Sequence, residues 1–270
     1  MLFLCFFAKA QKTQIGVLIG PSYYYGDIVT TLQPLSGRRS GSIFLRYKVN
    51  PNFCFRTNLS VAKIYGSDAH PSTTAWQKLR NLDFTANIFE LSAMGEYNII
   101  PDRNKARRVR DPFIPYVFAG IGVIYYESYR PNPNTGQLVS LRQLQLDGTI
   151  YQPFSLAFPF GVGLRYYINR NWSIGAEIGA RWTTTSQLDN IDGNSLYPSS
   201  EKLPTDLARL MYDPSLPKNG IKYGLPGVAR GKMNNLNDFY ILTGITLTYR
   251  IWPQSFNSRG GRAVACPRFY

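Results

Sequence analysis

No run of about 18 apolar residues occurs anywhere in the sequence, so no segment can cross a bilayer as a helix. Cysteine is scarce. Cys5, Cys54 and Cys266 are too few for a disulfide framework, and nothing in the sequence tells whether Cys54 and Cys266 pair. Histidine is scarcer still: His70 stands alone near Ser67, Asp68 and Ser72, a constellation too unspecific to point to acid–base or acyl chemistry. No metal-ligand spacing or phosphate-cradling glycine loop occurs, so no catalytic, metal or cofactor site is assigned. Acidic residues number 16 against 30 basic ones, a net charge of +14. That imbalance invites nucleic acid as a partner, but the basic residues are scattered and accompany no DNA- or RNA-binding motif, which excludes it. Their one concentration is Arg103, Lys105, Arg107, Arg108 and Arg110, ordinarily a solvated run.

What is present is aromatic residues, at 14%, and a pattern of period two. The chain opens with apolar Leu2 to Phe7 followed by Ala8-Lys9-Ala10, an A-x-A cleavage signal whose basic leader is missing. Residues 1–10 are therefore expected to be a signal peptide, cut after Ala10. A lipidated Cys5 is disfavoured by the large Leu4 before it. Residues 11–252 are expected to form one domain and 253–270 a tail carrying Arg259, Arg262 and Arg268.

Alternation is cleanest between Trp172 and Trp182, where Ile174, Ala176, Ile178 and Ala180 share a face opposed to Ser173, Gly175, Glu177, Gly179 and Arg181. Phe239 to Ile251 repeats it, with Ile241, Ile245, Leu247 and Tyr249 opposed to Thr246, Thr248 and Arg250. Residues 157–168 set Phe158, Phe160, Val162, Leu164, Tyr166 and Ile168 against Ala157, Pro159, Gly161, Gly163, Arg165 and Tyr167. Residues 116–125 are apolar on both faces. Residues 83–99 form another strand whose pattern changes phase at Ile88-Phe89, which a β-bulge there would reconcile. Segments around Phe53–Val61, Ile43–Val49 and Ile15–Tyr23 complete eight strands, an even number, as a single-chain bacterial barrel has.

The expected fold is all-β: an eight-stranded antiparallel up-and-down transmembrane β-barrel, since only closure pairs every backbone group in lipid. A soluble barrel also alternates, but here the polar face is Gly, Ser, Thr and Asn with a few charges, which suits a narrow filled lumen rather than a wet exterior. Ten residues between Trp172 and Trp182 span roughly 23 Å at a 45° tilt, near the apolar height of such barrels. Trp172, Trp182, Phe239 and Tyr249 are then an aromatic girdle against outer-membrane lipids. Arg46, Arg56, Glu90, Glu96, Arg165, Glu177, Arg181 and Arg250 are expected inside as a charge network. A one-residue slip would turn arginines into lipid at up to about 2–4 kcal/mol each. Turns at Val49–Phe53 and Asn169–Trp172 are short and face the periplasm; residues 66–82, 128–153 and 186–235 are long and face outside. The basic stretch 101–112 is then a periplasmic turn.

The paired strands Gly161-Val162-Gly163-Leu164-Arg165-Tyr166-Tyr167-Ile168 and Asn171-Trp172-Ser173-Ile174-Gly175-Ala176-Glu177 resemble those of small outer-membrane barrels of Bacteroidota, of the OmpA-like kind. Arg181-Trp182-Thr183-Thr184-Thr185, Leu188-Asp189-Asn190-Ile191, Tyr197, Arg230-Gly231-Lys232 and Asp238-Phe239-Tyr240 resemble the PorG family, although Ser186 and Gln187 replace its usual acidic–aromatic pair. That resemblance implies a non-enzymatic outer-membrane component of the type IX secretion and gliding machinery. It further implies a periplasmic ring, formed by a lipoprotein and its partner, as the thing anchored. Arg103, Lys105, Arg107, Arg108 and Arg110 face that side and are the expected electrostatic contact. The alternative is a general small porin-like or lipid-interacting barrel.

Overall fold

The computed structural model describes residues 13–29, 36–70, 73–103, 112–146, 151–192, 195–215, 220, 222–231 and 237–251. Eight long strands pair antiparallel with their sequence neighbours: β1 (Thr13–Tyr25), β2 (Arg38–Lys48), β3 (Phe53–Ser67), β4 (Asp83–Asn98), β5 (Phe113–Pro131), β7 (Phe154–Tyr167), β8 (Trp172–Thr183) and β9 (Phe239–Arg250). β1 also pairs with β9, and β4 with β5, so the sheet closes on itself and has no edge among these strands. A three-residue strand, β6 (Leu138–Ser140), extends β5 beyond the wall.

The alternation is that of a closed wall. Every long strand sets at least two large apolar side chains outward, among them Ile19 at 70%, Ile245 at 62% and Leu91 at 58% exposure. Inward positions are buried, and they include all eight charged residues assigned to the interior.

One expectation fails. β4 carries no bulge: its register against β3 and β5 runs without a skip from Thr85 to Tyr97. Phe84, Ala86 and Ile88 point inward like Glu90, Ser92, Met94 and Glu96 below them. The apparent phase change arises because the inner face is itself apolar toward one end, so a hydrophobic side chain there does not mark the exterior.

Two turns of the same design define the short-turn end. Asn50 Oδ1 accepts from the backbone N–H of Asn52 (2.9 Å) and Phe53 (2.8 Å), and Asn169 Oδ1 accepts from those of Asn171 and Trp172 (2.9 Å each). Such Asx turns cap a chain reversal with the asparagine's own side chain. The opposite end is not a set of bare loops. It holds α1 (Ala75–Arg80), α2 (Leu141–Leu144) and α3 (Asp206–Met211). β5 also runs to Pro131, three residues past the expected start of its loop. Leu188, Ile191, Tyr197, Leu203, Ala208, Met211 and Tyr212 from the longest loop pack with Ile64, Leu82, Phe84 and Ile88 in one buried cluster. The loops therefore form a folded cap whose core is continuous with the upper lumen.

Candidate functional site: a sealed lumen under a folded cap

The middle of the lumen is built on one carboxylate. Glu96 takes Arg46 through Nε (2.7 Å) and Nη2 (3.0 Å), Arg165 through Nη2 (2.8 Å) and Arg56 through Nη1 (3.0 Å). Arg56 also clasps Glu177 with two parallel bonds of 2.7 and 2.9 Å, and Tyr116 donates its hydroxyl to the same Glu177 at 2.8 Å. Three guanidiniums thus face two carboxylates, and the excess cation lies against aromatic faces. Arg56 sits between Phe44 (5.0 Å) and Phe118 (5.1 Å), and Arg165 lies 4.8 Å over Tyr116. Ring quadrupoles attract a desolvated cation, so these contacts offset part of the imbalance. Nearer the cap, Glu90 accepts from Tyr240 (2.6 Å), Ser92 (2.7 Å) and Arg181 (3.4 Å).

Arg250 is not part of that cluster. It lies toward the short-turn end, 4.0 Å from Asp102 and stacked over Tyr167 at 4.9 Å. Asp102 also takes Lys48 at 3.0 Å and the Tyr167 hydroxyl at 2.9 Å, closing the lumen from below. Burial works to raise the Asp102 carboxyl, but Lys48 and Arg165 outweigh it and hold it below the usual carboxylate range. Asp102 escaped the sequence reading because 101–112 looked like a solvated basic turn. Of the five basic residues proposed there, Arg103 is exposed; Lys105, Arg107, Arg108 and Arg110 lie outside the described residues, as do the signal segment 1–10 and the tail.

Both ends of the apolar exterior carry aromatic pairs. Trp172 packs on Tyr249 (4.9 Å) at the short-turn end, while Phe239 stacks on Tyr25 (4.5 Å) beside Trp182 at the other.

The cap closes over a second polar centre. Tyr24 Oη lies 2.8 Å from both Asp189 Oδ2 and Asp238 Oδ1. Asp27, Asp189 and Asp238, all buried, each bring one oxygen within 4.8 Å of the others, a spacing compatible with ligands of one hard cation. Burial first, then Asp238 and Asp27, push the Asp189 carboxyl well above the usual range. Positions 27, 189 and 238 have no local spacing, so no sequence motif could find them. Asp68, the carboxylate near His70, is committed elsewhere: Arg80 grips it with two bonds of 2.8 Å, and it accepts from the Leu82 N–H at 2.9 Å. Arg80 also donates to the backbone carbonyl of Arg230 in the longest loop. Several residues that carry the family resemblance therefore converge here, as Asp189, Tyr197, Arg230 and Asp238 all belong to the cap.

Chemically, this interior can hold charges in place and exclude solvent. Eight strands leave room only for side chains, and bulky ones fill it: Arg46, Arg56, Arg165, Phe44, Tyr116 and Phe118 are buried across the lumen.

Among solved structures, the chain resembles Ail, the attachment invasion locus protein of Yersinia pestis, determined in complex with the heparin analogue sucrose octasulfate (10% identity, TM-score 0.38, covering 88% of this chain and 98% of that one). It also resembles Neisserial surface protein A (9%, TM-score 0.40, 88% and 96%) and the outer membrane protein OprG from Pseudomonas aeruginosa (8%, TM-score 0.39, 88% and 96%). A search of curated proteins finds no match. Residues 1–205 match the family described as "Domain of unknown function (DUF6089)", and the chain belongs to that family.

Proposed function

We propose that this protein is an outer-membrane barrel that works as a sealed scaffold, presenting surfaces at its two ends, and not as a pore. One observation carries the reading: a closed barrel bears a continuous apolar belt outside while its lumen is packed with mutually bonded arginines and carboxylates. A water-soluble protein rarely exposes a contiguous apolar patch above a few hundred Å², and this one encircles the wall. In lipid the same belt is favourable, and closure satisfies the backbone.

The finer role follows from the resemblance noted in the sequence: a component of type IX secretion and gliding that anchors a periplasmic lipoprotein ring. The short-turn end would meet that ring, with Arg103, Lys105, Arg107, Arg108 and Arg110 steering an acidic partner. Two experiments separate the levels. Planar-bilayer recording of the refolded chain is expected to show insertion without steady conductance; stable open channels would favour the porin-like alternative. Pull-down from native membranes is expected to recover a periplasmic lipoprotein, and charge reversal at Arg107 and Arg108 to reduce it; unchanged recovery removes the anchoring role of the basic turn.

A further inference from the structure

The outer wall is not evenly covered. On β2, Gly41 interrupts the outward apolar row, and a groove of about 240 Å³ opens there between β2, β3 and β4. Its floor is Gly41, Val61 and the ring of Phe89; Arg39, Lys63 and Asn87 form its rim on the cap side. The register fixes this arrangement, because Gly41 pairs with Val61, Val61 with Phe89 and Lys63 with Asn87 across three adjacent strands. Phe89 continues into an aromatic row with Tyr125 (6.3 Å) and Phe154 (5.2 Å further on), so the groove lies at the level of a girdle. Above it, Arg38 lies 4.4 Å over the Tyr65 ring, adding a third cation to this side.

Arg39 and Lys63 are both exposed, and among the described residues neither has a carboxylate within ion-pair distance. This contrasts with the lumen, where Arg46, Arg56, Arg165 and Arg181 each lie within 3.4 Å of a carboxylate. Two unmatched cations over an apolar trough complement an amphiphile with an anionic head and a hydrocarbon tail. We propose that the groove binds one phosphate-bearing lipid of the outer leaflet, an acyl chain lying on Gly41, Val61 and Phe89 and the phosphate held between Arg39 and Lys63. The inference rests on the membrane reading above.

The test uses the full chain in nanodiscs, with diphosphoryl lipid A as probe, its dephosphorylated form as comparison, and native mass spectrometry as readout. Two variants act on the two halves of the site. Arg39→Glu with Lys63→Glu reverses the rim. Gly41→Leu fills the trough, and the barrel admits it because a Cβ at Gly41 meets nothing closer than the Leu18 carbonyl oxygen at 3.5 Å. All three positions face outward, so the compact barrel, checked by its gel mobility before and after heating, is expected to persist. Retention of lipid A is expected to exceed that of the dephosphorylated form, and each variant to bind lipid A at least about tenfold more weakly. Arg170→Glu, in the β7–β8 turn, should leave it unchanged. Equal retention of both lipids, or wild-type binding by both variants, overturns the proposal. A wild-type chain that fails to enter vesicles defeats the membrane reading itself; insertion with binding indifferent to Arg39, Lys63 and Gly41 defeats only the groove.

Discussion

Replacing Glu96 with Gln strikes the lumen at its centre. The carboxylate holds Arg46, Arg56 and Arg165 within 2.7 to 3.0 Å, and all four groups are shielded from solvent. An amide of the same shape keeps the packing but removes the charge that offsets three guanidiniums. Breaking a buried pair from one side costs about 3–5 kcal/mol, because the remaining charge is left uncompensated. Arg56 retains Glu177, so the damage falls mainly on Arg46 and Arg165. For a chain of this size each kcal/mol moves the melting temperature by about 2–4 °C, so a fall of roughly 6–20 °C is expected. Unfolding in vesicles, followed by tryptophan fluorescence in urea and by heat-dependent gel mobility, measures it. Substituting Arg46 as well should recover part of the loss, since it removes one orphaned cation. A change under about 1 kcal/mol would mean that water reaches these arginines, and a sealed lumen would be refuted.

Ile245→Arg should cost about 2–4 kcal/mol and lower the yield of folding into vesicles, because this residue is 62% exposed on the outer wall; an unchanged yield would contradict lipid contact. Gly161→Ala should reduce the folded fraction, since a Cβ there would lie 2.2 Å from the Ile178 carbonyl oxygen and 2.7 Å from the Phe118 ring. The backbone side of that clash cannot move away, and circular dichroism of the refolded variant reads the result. Asp102 gives a pH dependence. Its folded carboxyl is held below the usual range, so its stabilisation is present above that range and lost as pH falls through the folded value. With Cys5 and Cys266 replaced by Ser, labelling of the buried Cys54 relative to the unfolded chain should accelerate in acid, and a flat ratio would count against it.

The wall was legible because its two faces differ in chemistry. Outward positions such as Ile174, Ile178 and Leu247 are uniformly apolar, and the lumen opposite them is Ser173, Glu177 and Thr248, so period two stands out. It blurred where the lumen itself turns apolar. Phe84 and Ile88 share a buried cluster with Leu188, Met211 and their neighbours, a hundred residues or more away, and local sequence carries no trace of that packing. The cap escaped for the same reason. Its helices are short, its polar centre unites positions 27, 189 and 238, and only the closed chain brings them together. The lumen charges were visible one by one, but not their pairing: Arg250 turns to Asp102 because of how far along β9 it stands, near the short-turn end.

The most direct measurement places a nitroxide in turn at positions 178, 245 and 246 of the chain in vesicles and compares collisions with oxygen and with a water-soluble nickel chelate. Labels at 178 and 245 should meet oxygen and be shielded from the chelate, while the label at 246 should be shielded from both. Ready access of the chelate to 178 and 245 would contradict a barrel that faces lipid.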